Sequence, residues 1–105
     1  MSDKVKILAI GRNEDILQTV VRLINNNAEW EGAGAVTDKD AVQAFDHEVF
    51  DLIMLCSGIE PESEENLRAY FTAHRPHTKI IQHYGGGSGL LSAEIYQALA
   101  GESRI

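Results

Sequence analysis

The sequence holds one cysteine, two prolines and few basic side chains, and each scarcity excludes a class of protein. The lone Cys56 excludes a disulfide framework and a multi-cysteine zinc site. Nine Lys and Arg residues against sixteen Asp and Glu residues give a net charge of −7, which argues against nucleic acid or an anionic membrane as a partner. Two prolines and a hydrophobic fraction of 44% argue against disorder.

The chain of 105 residues has the length of one domain with one core, so we expect a single domain over residues 1–105. The first apolar run ends at Gly11, which makes it too short to cross a membrane, and no signal-peptide cleavage pattern follows it. One unpaired thiol and no signal peptide together predict a cytoplasmic protein.

Four strand-like segments alternate with four amphipathic segments. Apolar and β-branched runs predict strands over residues 5–10, 30–36, 51–56 and 78–84. The small residues of the second segment indicate that another element approaches its backbone closely. Strict alternation predicts an α/β fold of three layers (α/β/α), with a four-stranded parallel sheet in the order 2-1-3-4.

Capping residues place the predicted helices. Asn13 and Thr37 are the predicted N-caps of the first two helices. The third helix follows an acidic stretch and ends before Pro76. Ser92 is the predicted N-cap of the last helix, and Gly101 closes it.

This pattern resembles CheY-like receiver domains of response regulators. The segment Phe50-Asp51-Leu52-Ile53-Met54-Leu55 resembles the run that leads to the phosphorylated aspartate of receivers. Residues 34–41 resemble the second receiver strand as it enters the second helix. The resemblance implies a flavodoxin-like fold and a role in signal transduction.

The residues that carry receiver chemistry are replaced. Gly11 and Arg12 stand where receivers have the acidic pair that holds Mg²⁺, and an arginine there repels the cation. Cys56 aligns with the phosphoacceptor aspartate, and a thiol cannot form an acyl phosphate. Tyr84 aligns roughly with the hydroxyl residue that ends the fourth strand. The resemblance therefore implies a non-phosphorylatable receiver, or pseudo-receiver, that is not an enzyme and needs no cofactor or metal.

The fifth strand of receivers, which begins with a lysine, has no counterpart. The segment Leu91-Ser92-Ala93-Glu94-Ile95 follows the fourth strand almost directly and resembles the start of the last receiver helix. About one βα unit is missing, so the resemblance implies a truncated receiver that acts by contact with a protein partner. We also predict a homodimer through strand 78–84 or the adjacent helices, because an uncovered edge strand invites pairing.

The alternative is a small flavodoxin-like ligand-binding module that uses Gly85-Gly86-Gly87-Ser88-Gly89. Backbone amides between a strand and a helix can hold an anionic group or cofactor, and glycines let a ligand approach. The turn Ser57-Gly58 would line the same pocket, and the two turns resemble those of cobalamin-binding flavodoxin-like domains. The cobalt-ligating histidine loop of that family is absent, and the glycine loop also fits a simple bridge over the missing unit.

A third interpretation is a thiol enzyme. Cys56 and His83 both fall near the carboxyl ends of neighbouring predicted strands, where a histidine can lower the pKa of a thiol. The competing interpretation is a buried, inert thiol beside an unrelated histidine.

Overall fold

The computed structural model describes residues 4–56, 58–83 and 88–102, of which 88–90, 92 and 100–102 are described in their backbone only. The strands are β1 (Val5–Ile10), β2 (Trp30–Ala35), β3 (Leu52–Leu55) and β4 (Lys79–Gln82). The helices are α1 (Glu14–Asn25), α2 (Asp38–His47), α3 (Pro61–His74) and α4 (Ser88–Glu102). Within these described ranges, no helix is long and apolar enough to cross a membrane.

The four strands form one parallel sheet in the order β2-β1-β3-β4. This order confirms the predicted topology. Because all strands run the same way, the segments that follow β1, β2 and β3 meet at one edge of the sheet, its carboxyl edge. This edge is where the sequence places its degenerate receiver residues.

Each face of the sheet carries its own core. Helices α1 and α4 cover one face, where Leu17, Ile24 and Ile95 pack with alternate residues of β1 and β3. Helices α2 and α3 cover the other face, where Phe45 and Phe71 are fully buried. Since both faces are covered, β1 and β3 are apolar throughout their central residues. The three-layer architecture predicted from the alternation is therefore confirmed.

Helix α1 packs very closely on β2, as the small residues of that strand indicated. A Cβ atom at Gly32 would lie 2.8 Å from Cγ2 of Ile24, and one at Gly34 would lie 3.0 Å from Cγ2 of Val21. Both contacts are tighter than ordinary packing, so glycine lets the helix approach the edge strand.

The first two predicted caps are confirmed, and the last is wrong. Asn13 Oδ1 accepts a hydrogen bond from the Ile16 amide, and Thr37 Oγ1 accepts one from the Asp40 amide. Helix α4 begins at Ser88, four residues before the predicted cap Ser92, and it continues past Gly101 to Glu102. Residues 88 and 89 therefore belong to a helical turn and not to a loop.

The early start of α4 has a packing reason. Leu91 and Ile95 are both buried in the same core, at 2% and 0% exposure. Residues four apart lie on the same face of a helix, so a helix that already includes Leu91 buries both side chains together. Sequence reasoning gave the serine cap more weight than this apolar pair.

Candidate functional site

The side chain of Arg12 dominates the carboxyl edge of the sheet. Arg12 follows β1, and Gly11 before it is buried and donates its amide hydrogen to Ala35 O at 3.1 Å. The backbone there still runs alongside β2, which directs Arg12 into the space between the segments after β2 and β3. The Arg12 side chain is 24% exposed.

The guanidinium group bonds to three acceptors on two other segments. Arg12 Nη1 donates to the carbonyl oxygen of Val36 at 2.7 Å, and Nη2 donates to Asp38 Oδ1 at 2.6 Å. Glu60 Oε1 lies 3.2 Å from Nε and 3.1 Å from Nη2. One cation therefore connects the segments that follow β1, β2 and β3. We call these four residues, Arg12, Val36, Asp38 and Glu60, the arginine clamp.

Helix starts hold the two carboxylates in place. Asp38 is the first residue of α2, after the Thr37 cap, and Glu60 is the N-cap of α3, before Pro61. Acidic side chains are favoured there because the N-terminus of a helix carries a partial positive charge. The N-termini of α2 and α3 thus favour Asp38 and Glu60, and the parallel sheet places both helix starts beside Arg12.

Gly58 lies against the aliphatic part of the Arg12 side chain. Its φ angle of +93° lies in the region that favours glycine, and a Cβ atom there would lie 3.4 Å from Cβ of Arg12. The turn after β3 can therefore pass close to Arg12. This packing role is independent of the ligand-binding role predicted for Gly58, which stays a prediction.

The clamp shifts the titration of its members. Burial raises the pKa of the Asp38 carboxyl, but hydrogen bonds from Arg12 and Ser63 and the charge of Arg12 outweigh it, so the pKa lies below its ordinary value. A backbone hydrogen bond, followed by the hydrogen bond and charge of Arg12, lowers the pKa of Glu60. The hydrogen bond to Asp38 is the largest effect on the pKa of Arg12, which is raised. All three groups are therefore ionised near neutral pH.

Sequence reasoning found Arg12 and missed its partners. It treated the acidic stretch that contains Glu60 as a solvated start of the third helix, and Asp38 only as part of the segment 34–41 that resembles receivers. The signal was present, because both acids open helices that follow neighbouring strands of one parallel sheet. Topology and helix starts, taken together, place both acids at the carboxyl edge beside Arg12.

Cys56 was predicted as the last residue of the third strand; it lies directly after β3, at the same carboxyl end, and is 4% exposed. Its amide donates to Ile10 O at 2.7 Å, which holds it against the end of β1. Burial, and secondly the negative charge of Glu94, raises the pKa of the thiol to about 11. The group is a neutral thiol at neutral pH, which favours the inert interpretation over the thiol enzyme.

His83 lies after β4 and is 4% exposed. Its amide donates to Leu55 O at 2.8 Å, so the neighbouring ends of β3 and β4 are joined as predicted. Its ring Nδ1 lies 2.5 Å from Oε1 of Glu94 on α4, a partner that sequence reasoning did not identify. The pair fastens α4 to the end of β4.

Several predicted site residues lie outside the described part of the chain. These are Ser57, Tyr84, Gly85, Gly86 and Gly87. Ser88 and Gly89 are described in their backbone only, where they open α4. The ligand pocket predicted for the glycine loop therefore stays a prediction.

No protein-family model and no curated protein matches the sequence. Solved structures do match. A response regulator receiver domain from Clostridium thermocellum superposes with a TM-score of 0.77 at 16% identity, over 93% of this chain and 96% of that one. The signal receiver domain of an HD domain-containing protein from Pseudomonas fluorescens gives a TM-score of 0.80 at 18% identity, over 94% and 97%.

A third match is the response regulator TrrA from Thermotoga maritima in complex with Mg²⁺-BeF, with a TM-score of 0.72 at 10% identity, over 90% of this chain and 98% of that one. The chain therefore has the CheY-like, flavodoxin-like fold of receiver domains. Its match spans nearly the whole length of these three, although the described residues form a sheet of only four strands.

The clamp predicts how stability depends on pH. A carboxyl group whose pKa is lower in the folded protein than in the unfolded chain stabilises the fold at pH values above its unfolded pKa, which is about 4. This stabilisation is lost as the pH falls through the lower pKa of the folded protein. Arg12→Met removes the cation that lowers these pKa values. We therefore expect its free energy of unfolding to fall by less than that of the wild type when the pH is lowered from about 6 to about 3. Urea unfolding followed by fluorescence of Trp30, the single tryptophan, measures the difference.

The matched control is Arg22→Met, which removes the same charge from an exposed position on α1. It should keep the wild-type pH dependence. An Arg12→Met variant with the wild-type pH dependence would show that the clamp does not hold these carboxyl groups.

The state of Cys56 predicts slow alkylation. Because the thiol is buried and its pKa is about 11, we expect iodoacetamide to modify the folded protein very slowly at neutral pH. The rate should rise steeply in urea, where the thiol is solvated. Intact mass spectrometry follows both rates, and rapid labelling of the folded protein at neutral pH would revive the thiol-enzyme interpretation.

Proposed function

We propose that the protein is a pseudo-receiver, a protein-interaction module in signalling or regulation that works without phosphorylation or Mg²⁺. The observation that carries this proposal is the arginine clamp. A guanidinium group binds the carboxylates of Asp38 and Glu60 at the edge of the sheet where receivers hold a metal ion.

The clamp opposes metal binding in two ways. Mg²⁺ requires hard oxygen ligands in octahedral geometry, and the nearby carboxylates already bond to Arg12. A cation that entered would also meet the positive charge of Arg12 at short range. The receiver acidic pair is represented by Gly11 and Arg12, which offer no carboxylate oxygen.

The phosphoacceptor position supports the same conclusion. Cys56 stands there as a buried, neutral thiol with a raised pKa. A carboxylate would be needed to form the acyl phosphate of a receiver, and Cys56 supplies none. A module built this way acts by contact and not by catalysis.

The clamp also indicates how such a module presents itself to a partner. Arg12 connects three segments of one edge, so their relative positions depend on a side chain and not on a bound ion. A partner protein would then meet one constant arrangement of the starts of α2 and α3. We place this activity in the cytoplasm, as the sequence predicts.

Treatment with Mg²⁺ and acetyl phosphate, followed by intact mass, tests the proposal. We expect no added phosphoryl group on the wild type, while a phosphorylatable receiver treated in parallel confirms that the donor is active. Hydroxylamine, which cleaves acyl phosphates, distinguishes an aspartyl adduct from other modification. A hydroxylamine-sensitive phosphoryl group on any aspartate of this chain would overturn the proposal.

A further inference from the structure

Strand β2 lies at an edge of the sheet, and the pairing fixes which of its backbone groups face outward. β2 is first in the strand order and pairs only with β1 among the described strands. The carbonyl oxygens of Glu29 and Ala35 accept hydrogen bonds from the β1 segment. Since backbone groups alternate along a strand, the even-numbered residues between them direct their N–H and C=O groups away from the sheet. These outward residues are Trp30, Gly32 and Gly34.

Asn25, the last residue of α1, forms with Gly32 the pair of hydrogen bonds that a neighbouring strand would form. Its Oδ1 accepts a hydrogen bond from the Gly32 amide at 2.8 Å, and its Nδ2 donates one to the Gly32 carbonyl oxygen at 3.3 Å. A carboxamide offers the same donor and acceptor as a peptide group, and only this orientation satisfies both bonds. The Asn25 side chain therefore takes the place of a strand at this residue.

The chain also covers outward backbone groups on either side of this position. The Trp30 amide donates to the carbonyl oxygen of Asn27 at 3.1 Å. Just past the end of β2, the carbonyl oxygen of Val36 accepts a hydrogen bond from Arg12 Nη1 at 2.7 Å. Within the described ranges, Gly34 is the one outward residue of β2 with neither group bonded. One such residue offers too few hydrogen bonds to hold an added strand.

Lack of space does not close this edge. A groove of about 540 Å³ lies between α1 and β2, with Asn25 and Gly34 in its wall. Gly34 is exposed, and the two glycines of β2 carry no side chain that would keep another backbone away. An added strand therefore has room to approach, and the carboxamide of Asn25 is the group that it would have to displace.

We propose that Asn25 is an autoinhibitory contact, which closes the β2 edge against pairing with a second copy of the chain. A second copy fits because two β2 edges are self-complementary. In an antiparallel pairing about Ala33, Gly32 of one protomer lies opposite Gly34 of the other, and symmetry forms this pair twice. Both pairs need the Gly32 groups that Asn25 holds. The proposal does not depend on the pseudo-receiver proposal.

Hydrogen exchange of the Gly32 amide, followed by NMR in dilute solution, tests the contact. In Asn25→Ala we expect this amide to exchange about tenfold faster than in the wild type, because it loses its acceptor, while the amides of β1 keep their rates. Asn25 is exposed and alanine favours a helix, so the variant should fold. Exchange at the wild-type rate in Asn25→Ala overturns the proposal.

The matched control is Asn26→Ala. Asn26 is the next residue, is exposed, and makes no side-chain hydrogen bond within the described ranges. This variant should keep the wild-type exchange rate of the Gly32 amide. An equal acceleration in both variants would show a general loosening at the end of α1 and would contradict a specific role of Asn25.

Disulfide trapping tests the pairing that Asn25 prevents. Opposed residues at a non-hydrogen-bonded position have Cα atoms about 4.5 Å apart, within disulfide range. In a Cys56→Ala background, Ala33→Cys should form a covalent dimer under mild oxidation when combined with Asn25→Ala, and it should stay monomeric when combined with Asn26→Ala. A covalent dimer with Asn25 in place, or none without it, overturns the proposal. Residue 33 reports the β2 edge alone, so the homodimer predicted through strand 78–84 stays a separate prediction.

Discussion

The contact between the Arg12 guanidinium and the carboxylates of Asp38 and Glu60 organises the carboxyl edge of this sheet. Parallel strands deliver three connecting segments to that edge, where the Gly11 amide bonds to Ala35 O and the Cys56 amide bonds to Ile10 O. Arg12 adds side-chain bonds between the segments, to Asp38, Glu60 and the Val36 carbonyl. An isolated exposed ion pair contributes little to stability, but a cation shared by three acceptors also fixes geometry.

A cation that belongs to the chain differs physically from one that binds. A bound metal depends on concentration, and a phosphoryl group depends on a donor, so both can switch a site between two states. Arg12 depends on neither a metal concentration nor a phosphoryl donor. The lowered carboxyl pKa values keep the clamp ionised near neutral pH. The buried neutral thiol of Cys56 adds no charge at the same edge. We therefore infer that the site holds one state near neutral pH.

Local signals and packing together explain what the sequence could predict. The strand order and the Asn13 and Thr37 caps followed from periodicity and short-range hydrogen bonding, and the structure confirms them. The start of α4 did not follow from these local signals. The helix begins before the predicted cap Ser92, because an earlier start buries Leu91. The acids at Arg12 lie 26 and 48 residues away along the chain, so only the folded sheet brings them together.

Amide NMR spectra during a Mg²⁺ titration test the central claim most directly. If the guanidinium group already occupies the oxygens of both carboxylates, the amide signals of Arg12, Asp38, Gly58 and Glu60 stay in place up to millimolar Mg²⁺. Saturable shifts confined to those four signals would contradict the account, because they would mean that a metal ion enters the site that Arg12 is held to occupy.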